Sequence, residues 1–190
     1  MSRYLIVGLG NPGSKYADNR HNVGFRCVER LASAHSLSFD RRQKRASLAL
    51  GTVFQRSVVL AKPRTFMNRS GYAVAALAQF YRVTFDRIFV VYDDLDLPLG
   101  AVRMRPSGGS GGHRGMRSII NQLGSRNFPR LRIGIGRPPG RMDPADYVLQ
   151  DFSADEETLL EEALEQAMAA IETWLSDGID KSMSLHNRSA

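Results

Sequence analysis

The sequence predicts an α/β fold, and three observations carry that reading. The chain opens on Tyr4-Leu-Ile-Val7, an apolar run ending in Gly8 and Gly10, the pattern of a short buried strand that feeds a sharp turn. Ile88-Phe-Val-Val91 and Leu131 to Ile135 read as buried strands in the same way. Between such runs lie segments whose apolar residues recur at helical spacing. The 190 residues, 43% hydrophobic and 24% charged, suffice for one sizeable core, so a single domain spanning 1–190 is expected.

In open α/β sheets ligands collect beyond the carboxyl ends of the strands, and the loop after the first strand carries Asn11, Tyr16 and His21. Gly8-Leu-Gly-Asn-Pro-Gly13 also satisfies the dinucleotide-binding spelling G-x-G-x-x-G. That fingerprint needs a helix starting on the glycines and an acidic residue ending a second strand about 20 residues on. Here Pro12 leads into a polar run, the helical pattern starts only near Asn22, and Glu29 lies inside it. The glycines therefore read as turn glycines beside a reactive loop.

Val23, Cys27, Val28 and Leu31 give a helix from about Asn22 to Ser33, with His21 at its start. Residues 36–45 are polar and basic, a solvated loop or a phosphate contact. Ala46 to Phe54 and Ser57 to Ala61 read as two strands joined by a short turn, the second ended by Lys62-Pro63. Thr65 to Gly71 precedes a helix over Ala73–Tyr81, for which Asn68 or Ser70 is a candidate N-cap. A buried strand from Arg87 to Tyr92 then releases Asp93, Asp94 and Asp96.

Ala101 to Arg105 alternates as a short strand, with Arg103 and Arg105 on one face. The glycine-rich segment from Ser107 to Gly115 comes next, the most flexible of the chain, and then a helix from Met116 to Leu123. Such a loop at a helix N-terminus can cradle phosphate through backbone N–H groups, but it lacks the Lys-Ser/Thr ending of a P-loop. The Leu131–Ile135 strand is preceded by Arg130 and contains Arg132. The longest helix runs from Ser153 to Gly178, opened by a Ser N-cap with Glu156 three residues on. Residues from about 182 read as a frayed tail.

Composition narrows the partner. Residues 1–150 hold 24 Lys/Arg against 9 Asp/Glu, whereas residues 151–180 hold 10 Asp/Glu and no Lys/Arg. A strongly basic, arginine-dominated body favours a polyanion. No apolar run is long enough to span a bilayer and the opening residues carry no signal-peptide pattern, so a cytoplasmic protein without a membrane partner is expected. The single Cys27 excludes an internal disulfide and falls on an apolar helix face, as a buried, inert thiol does.

The chemistry available is that of a hydrolase. A neutral imidazole, His21, can take a proton from water if a carboxylate such as Asp93 fixes its tautomer, and no Ser or Cys stands in an evident nucleophilic role. The side-chain amides of Asn11 and Asn68 can hold carbonyls. The residues by themselves stop at hydrolysis of a polyanion-linked ester or amide, and a lone histidine at a helix start is more often structural than catalytic.

From the first strand to the final helix the chain resembles bacterial-type peptidyl-tRNA hydrolases: Gly8-Leu-Gly-Asn-Pro-Gly13, Tyr16, Arg20-His21-Asn22-Val-Gly24, Thr65-Phe-Met-Asn68-Arg-Ser-Gly71, Asp93-Asp-Leu-Asp-Leu-Pro98, Gly108 to Gly115 and Arg132-Ile-Gly-Ile-Gly136. The resemblance implies a twisted mixed sheet flanked by helices, phosphorylase/hydrolase-like, and a monomeric esterase with no metal and no cofactor. Its partner would be peptidyl-tRNA, met at the acceptor stem and 3′ end. Carried over by position, His21 is the general base, Asp93 its orienting partner and Asn11 the residue that tells peptide from free amine. Tyr16, Phe66, Met67 and Asn68 contact substrate, and Arg105 and Arg132 clamp the tRNA 5′ phosphate. One departure stands out: where the family often has a substrate-contacting asparagine, this chain has Arg114, which cannot accept a hydrogen bond but can meet a phosphate.

Overall fold

In the computed structural model, which describes residues 2–187, β1 (Tyr4–Gly8) lies at the centre of a seven-stranded mixed sheet. The other strands are β2 (Arg41–Gln43), β3 (Ala46–Val53), β4 (Arg56–Pro63), β5 (Ile88–Asp94), β6 (Val102–Arg105) and β7 (Arg130–Gly134). Their order across the sheet is β2-β3-β4-β1-β5-β7-β6. β4, β1, β5 and β7 run parallel, while β2, β3 and β6 pair antiparallel at the edges.

The central strands are apolar on both faces because helices cover both. Ile6, Phe89 and Leu131 pack under α1 (Val23–Ala34) and the long α5 (Ala154–Asp177), which follows the one-turn α4 (Pro144–Tyr147). Leu5, Val7 and Val90 pack under α2 (Ser70–Tyr81) and α3 (Arg114–Leu123). The result is a three-layer α/β domain with loops gathered at the carboxyl ends of the parallel strands, where such folds bind ligands.

Several expectations need correction. Gly8 is not a turn glycine: a Cβ there would lie 2.1 Å from the carbonyl oxygen of Gly24, so what it permits is the close approach of α1 to β1. Gly10 lies similarly against the Phe25 ring. Within the polar 36–45 run, residues 36–40 are irregular as expected, but residues 41–43 form β2, whose Arg41 and Arg42 are exposed on a hairpin with β3, so the polarity there reflects an edge strand. β5 continues through Asp93 and Asp94 because β7 pairs with both, opposite Ile133 and Gly134. The tail does not fray at 182: α6 (Ile179–His186) folds back, with Ser182 buried and its Oγ donating to the Ala170 carbonyl at 2.6 Å. Asn187 then brackets the edge strand, its Nδ2 donating to the Met104 carbonyl and its Oδ1 accepting from the Met104 N–H. Residues 188–190 of the expected tail lie outside the described residues. Among the described residues no helix is long and apolar enough to cross a membrane.

Candidate active site

The loop after β1 is fixed by the residues on either side of His21. Arg20 is 6% exposed, sits over the rings of Tyr147 and Phe152, and donates to the Asp151 carbonyl and to Glu156. Asn22, 2% exposed, exchanges hydrogen bonds with both backbone groups of Asn11: its Oδ1 accepts from the N–H at 2.9 Å and its Nδ2 donates to the carbonyl at 3.0 Å. The His21 N–H donates to the Val148 carbonyl at 2.8 Å. With its neighbours anchored and its own backbone tied, His21 is presented just ahead of α1 at the mouth of the sheet.

There it meets Asp93, at the end of β5 and 3% exposed. His21 Nδ1 lies 2.8 Å from Oδ2 and 3.0 Å from Oδ1. A carboxylate only accepts, so Nδ1 carries the proton and Nε2 is left basic. Burial by itself would depress the His21 pKa, and Arg114 adds to that, but the charge and hydrogen bond of Asp93 outweigh both, so the net shift is upward. Burial would raise Asp93, yet His21 and His113 together hold it well below the usual carboxylate range.

His113 is a residue that the sequence pattern did not single out. It occupies the N-cap of α3, where Nδ1 accepts from the N–H groups of Gly115 and Met116 at 3.2 and 3.3 Å. Its Nε2 lies 2.8 Å from Asp93 Oδ1. His21 Nδ1, Asp93 and His113 Nε2 therefore cluster within 4.8 Å, the donor types of a metal site. The ring polarity does not suit one. A metal on Nε2 would shift the ring proton to Nδ1, which faces two backbone donors, whereas metal-bound histidines turn that N–H toward an acceptor.

Nine of the ten residues expected at the site, Asn11, His21, Phe66, Met67, Asn68, Asp93, Arg105, Arg114 and Arg132, line one open cleft of about 1050 Å³. Tyr16 does not line it; the residue sits half-buried on the turn Ser14–Tyr16, with Lys15 against its ring. The Oδ1 of Asn11 accepts from the Met67 N–H at 2.8 Å, which fixes the amide's orientation and leaves Nδ2 as the group available to a ligand. Neither candidate N-cap serves α2: Ser70 Oγ donates to the Met67 carbonyl and Arg69 holds the cap position. Asn68 is exposed in the cleft instead.

The basic wall comes from one sheet face. Arg103 pairs across from Arg132 and Arg105 across from Arg130, so the alternation of both strands puts all four on the same side. Their duties differ. Arg105 is exposed, while Arg132 is held by Asp94 at 3.0 Å and its buried Nε finds no partner. Arg130 is 1% exposed and donates to the carbonyls of Gly108, Gly109, Arg126 and Phe128, pinning the start of the glycine-rich loop. Gly111 and Gly112 have positive φ and open space around them. The alternation of Arg130 with Arg132 was a readable signal for the shared face. Nothing local announced that Arg130 would point inward.

A family model described as Peptidyl-tRNA hydrolase matches residues 5–190. The peptidyl-tRNA hydrolase of Chloroflexus aggregans (strain MD-66 / DSM 9485) is 51% identical over 185 residues, which cover 97% of this chain and 98% of that protein. The crystal structure of peptidyl-tRNA hydrolase from Acinetobacter baumannii, 36% identical, superposes with a TM-score of 0.92 over 97% of this chain and 94% of the other. Uridine phosphorylase from Vibrio fischeri, at 9% identity and a TM-score of 0.53, shares the fold alone.

Proposed function

Matched to that family model over residues 5–190, the chain belongs to the peptidyl-tRNA hydrolase family and hydrolyses peptidyl-tRNA, and we propose that it does so with His21 as the general base. The observation that carries the reading is the 2.8 Å contact between His21 Nδ1 and Asp93 in the wall of the cleft. With the proton committed to Nδ1, Nε2 takes a proton from a water as its oxygen attacks the ester carbonyl carbon. Asp93 stabilises the imidazolium so formed. The amide of Asn68 steadies the oxyanion. When the bond to the terminal ribose oxygen breaks, the imidazolium returns its proton to that oxygen, giving free tRNA and a free peptide carboxyl.

Asn11 explains selectivity for a blocked α-amine. Its acceptor oxygen is engaged by Met67, so the substrate meets only the Nδ2 donor, which suits a peptide carbonyl and offers nothing to an ammonium group. Phe66 and Met67 line the approach of the acceptor 3′ end. Arg105 and Arg132 meet the 5′ phosphate of the acceptor stem, with Arg114 toward the 3′-end phosphates. Tyr16 contacts the substrate outside the cleft. Every group in this scheme comes from one chain, so the reaction draws on no residue of a second subunit, and the histidine ring polarity opposes a metal on Asp93 and His113.

Release of N-acetyl-amino acid from N-acetyl-aminoacyl-tRNA, set beside free aminoacyl-tRNA, tests the reading. His21→Ala should lower turnover by about 10²–10⁴ while tRNA binding persists. Turnover within threefold of the native enzyme would overturn the assignment.

A further inference from the structure

Two histidines from distant segments meet on Asp93, and the proposed reaction uses only one. His113 has both ring nitrogens engaged. Nδ1 accepts from two backbone N–H groups at the start of α3, so it carries no proton, and the ring hydrogen sits on Nε2, which donates to Asp93 Oδ1. The side chain is 8% exposed. It lies between two other rings, with centroids 5.0 Å from His21 and 5.0 Å from Tyr92. Its Cε1 and the Met67 sulfur pack against Gly115, where an added Cβ would lie 3.1 Å from the ring carbon and 2.5 Å from the sulfur. The ring therefore has one orientation and one tautomer, both set by the helix it caps.

We infer that His113 is a positioning residue: its fixed hydrogen bond to Asp93 Oδ1 holds the carboxylate in register with His21 and takes up part of its negative charge, limiting how tightly Asp93 retains a proton on His21. Among the described residues only His21 and His113 hydrogen-bond to the Asp93 carboxylate. The other charged or titratable groups lining the cleft around the pair are Arg114 on α3, Tyr92 and Asp94 on β5 with Asp96 just after it, Arg105 on β6, Arg130 and Arg132 on β7, and Arg137, Asp143 and Asp146 on the segment that follows β7. Arg114 opposes a charged His21, so with His113 it acts to keep the base free. A carboxylate with two unfilled acceptor sites would favour the imidazolium further. The glycine-rich loop thus ends on a residue coupled to the base, and the placement of α3 is felt at His21 through one ring.

The inference rests on the reading of His21 as the base, and two substitutions at position 113 with one at position 21 separate the two. Asparagine is among the best N-caps, but its side chain is too short to cap α3 and also reach Asp93. His113→Asn thus deletes the Asp93 bond and spares the helix, whereas His113→Ala deletes both. With N-acetyl-aminoacyl-tRNA, each should lower kcat about tenfold, the scale of one hydrogen bond to a charged group. KM should stay within twofold. In both, the acid limb of kcat/KM should move to higher pH, because Asp93 then holds the imidazolium proton more firmly. Only His113→Ala should lower Tm, by about 2–4 °C. A His113→Asn enzyme with native kcat, or with an acid limb that is unmoved or moved to lower pH, overturns the inference. If His21→Ala retains activity, the base assignment itself falls and this inference with it; if His21→Ala is inactive while His113→Asn is native, only the inference falls.

Discussion

Replacing Asp93 by asparagine exchanges one oxygen for an NH₂ group, and the surrounding hydrogen bonds decide where that group points. His113 can only donate to this residue, since its Nδ1 is committed to the α3 N-terminus. The asparagine must therefore keep its oxygen on the His113 side and turn its NH₂ toward His21 Nδ1, where Oδ2 of Asp93 stands at 2.8 Å in the native protein. A donor facing Nδ1 forces the other tautomer on His21, and Nε2 becomes protonated and useless as a base. The imidazolium of the transition state also loses a partner. For charge centres about 4 Å apart at an effective dielectric near 20, that attraction is about 4 kcal/mol, or about a thousandfold in rate. Tautomer and charge together predict a fall in kcat of about 10³–10⁴, the scale seen when a triad aspartate is amidated. The assay is turnover of N-acetyl-aminoacyl-tRNA across pH, in parallel with thermal unfolding. His21 is held above its ordinary value of 6.5 in the fold, so its contribution to stability is present below that value and is lost as pH rises through the folded pKa. In Asp93→Asn the burial and the Arg114 charge remain, the folded pKa drops, and that alkaline loss of Tm disappears while the acid limb of residual activity moves to lower pH. Activity within tenfold of native, with both pH dependences unchanged, would refute the reasoning.

Three further sets of substitutions probe the walls of the cleft. Arg114→Asn removes a charge that depresses the His21 pKa, so the acid limb should shift to higher pH; at the same time the slope of log affinity for tRNA against log salt should flatten by about one unit or somewhat less, and an unchanged slope would show that the guanidinium touches no phosphate. Arg105→Ala and Arg132→Ala should raise KM for full-length tRNA substrates yet spare a minimal substrate without the 5′ phosphate. The Arg132 effect carries an added cost from the unpaired Asp94, so equal losses on both substrates would assign these arginines to the fold. Asn11→Asp supplies an acceptor where the native residue offers only a donor, and the ratio of free to N-acetylated aminoacyl-tRNA hydrolysis should rise; a constant ratio would move discrimination to another residue.

The sequence was most readable where local pattern decides structure. The apolar runs at Tyr4–Val7, Ile88–Val91 and Leu131–Ile135 are strands because two helical layers bury both their faces, and the Ser153/Glu156 capping box opens α5 as its spelling requires. Local pattern failed where a partner far along the chain decides. Residues 41–43 look like a solvated loop until β3 pairs with them, and residues 182–186 look frayed until Ala170 accepts a hydrogen bond from Ser182. The site divides the same way. His21, Asn11 and Asn68 announce themselves by type and position. His113 does not, because its meaning depends on the α3 N-terminus lying beside the end of β5, and the sheet order that brings β7 and β6 past β5 cannot be read from the strands themselves.

That division bears on how the site keeps its geometry. Asp93 belongs to a central strand paired on both sides, and each histidine reaches it from a different helix start, His21 ahead of α1 and His113 at the cap of α3. The two helices lie on opposite faces of the sheet, so any slip of one layer against the strand loosens one of Asp93's hydrogen bonds before it disturbs the core. The close pass of Gly24 against Gly8, where an added carbon would lie 2.1 Å from a backbone oxygen, resists that slip, and the packing of Gly115 against the side chains of Met67 and Leu9 adds to it. Glycines that look like flexibility in the sequence therefore act as close-packing points that hold three segments on one carboxylate. A Gly24→Ala substitution sets its Cβ against the backbone of Val91 on β5 and of Leu9 just past β1, so it would push α1 off the sheet and reach catalysis through the His21–Asp93 distance. Its kcat for N-acetyl-aminoacyl-tRNA should fall while tRNA affinity at the same salt stays native, and a folded variant with native kcat would show that the helix can shift without carrying His21 with it.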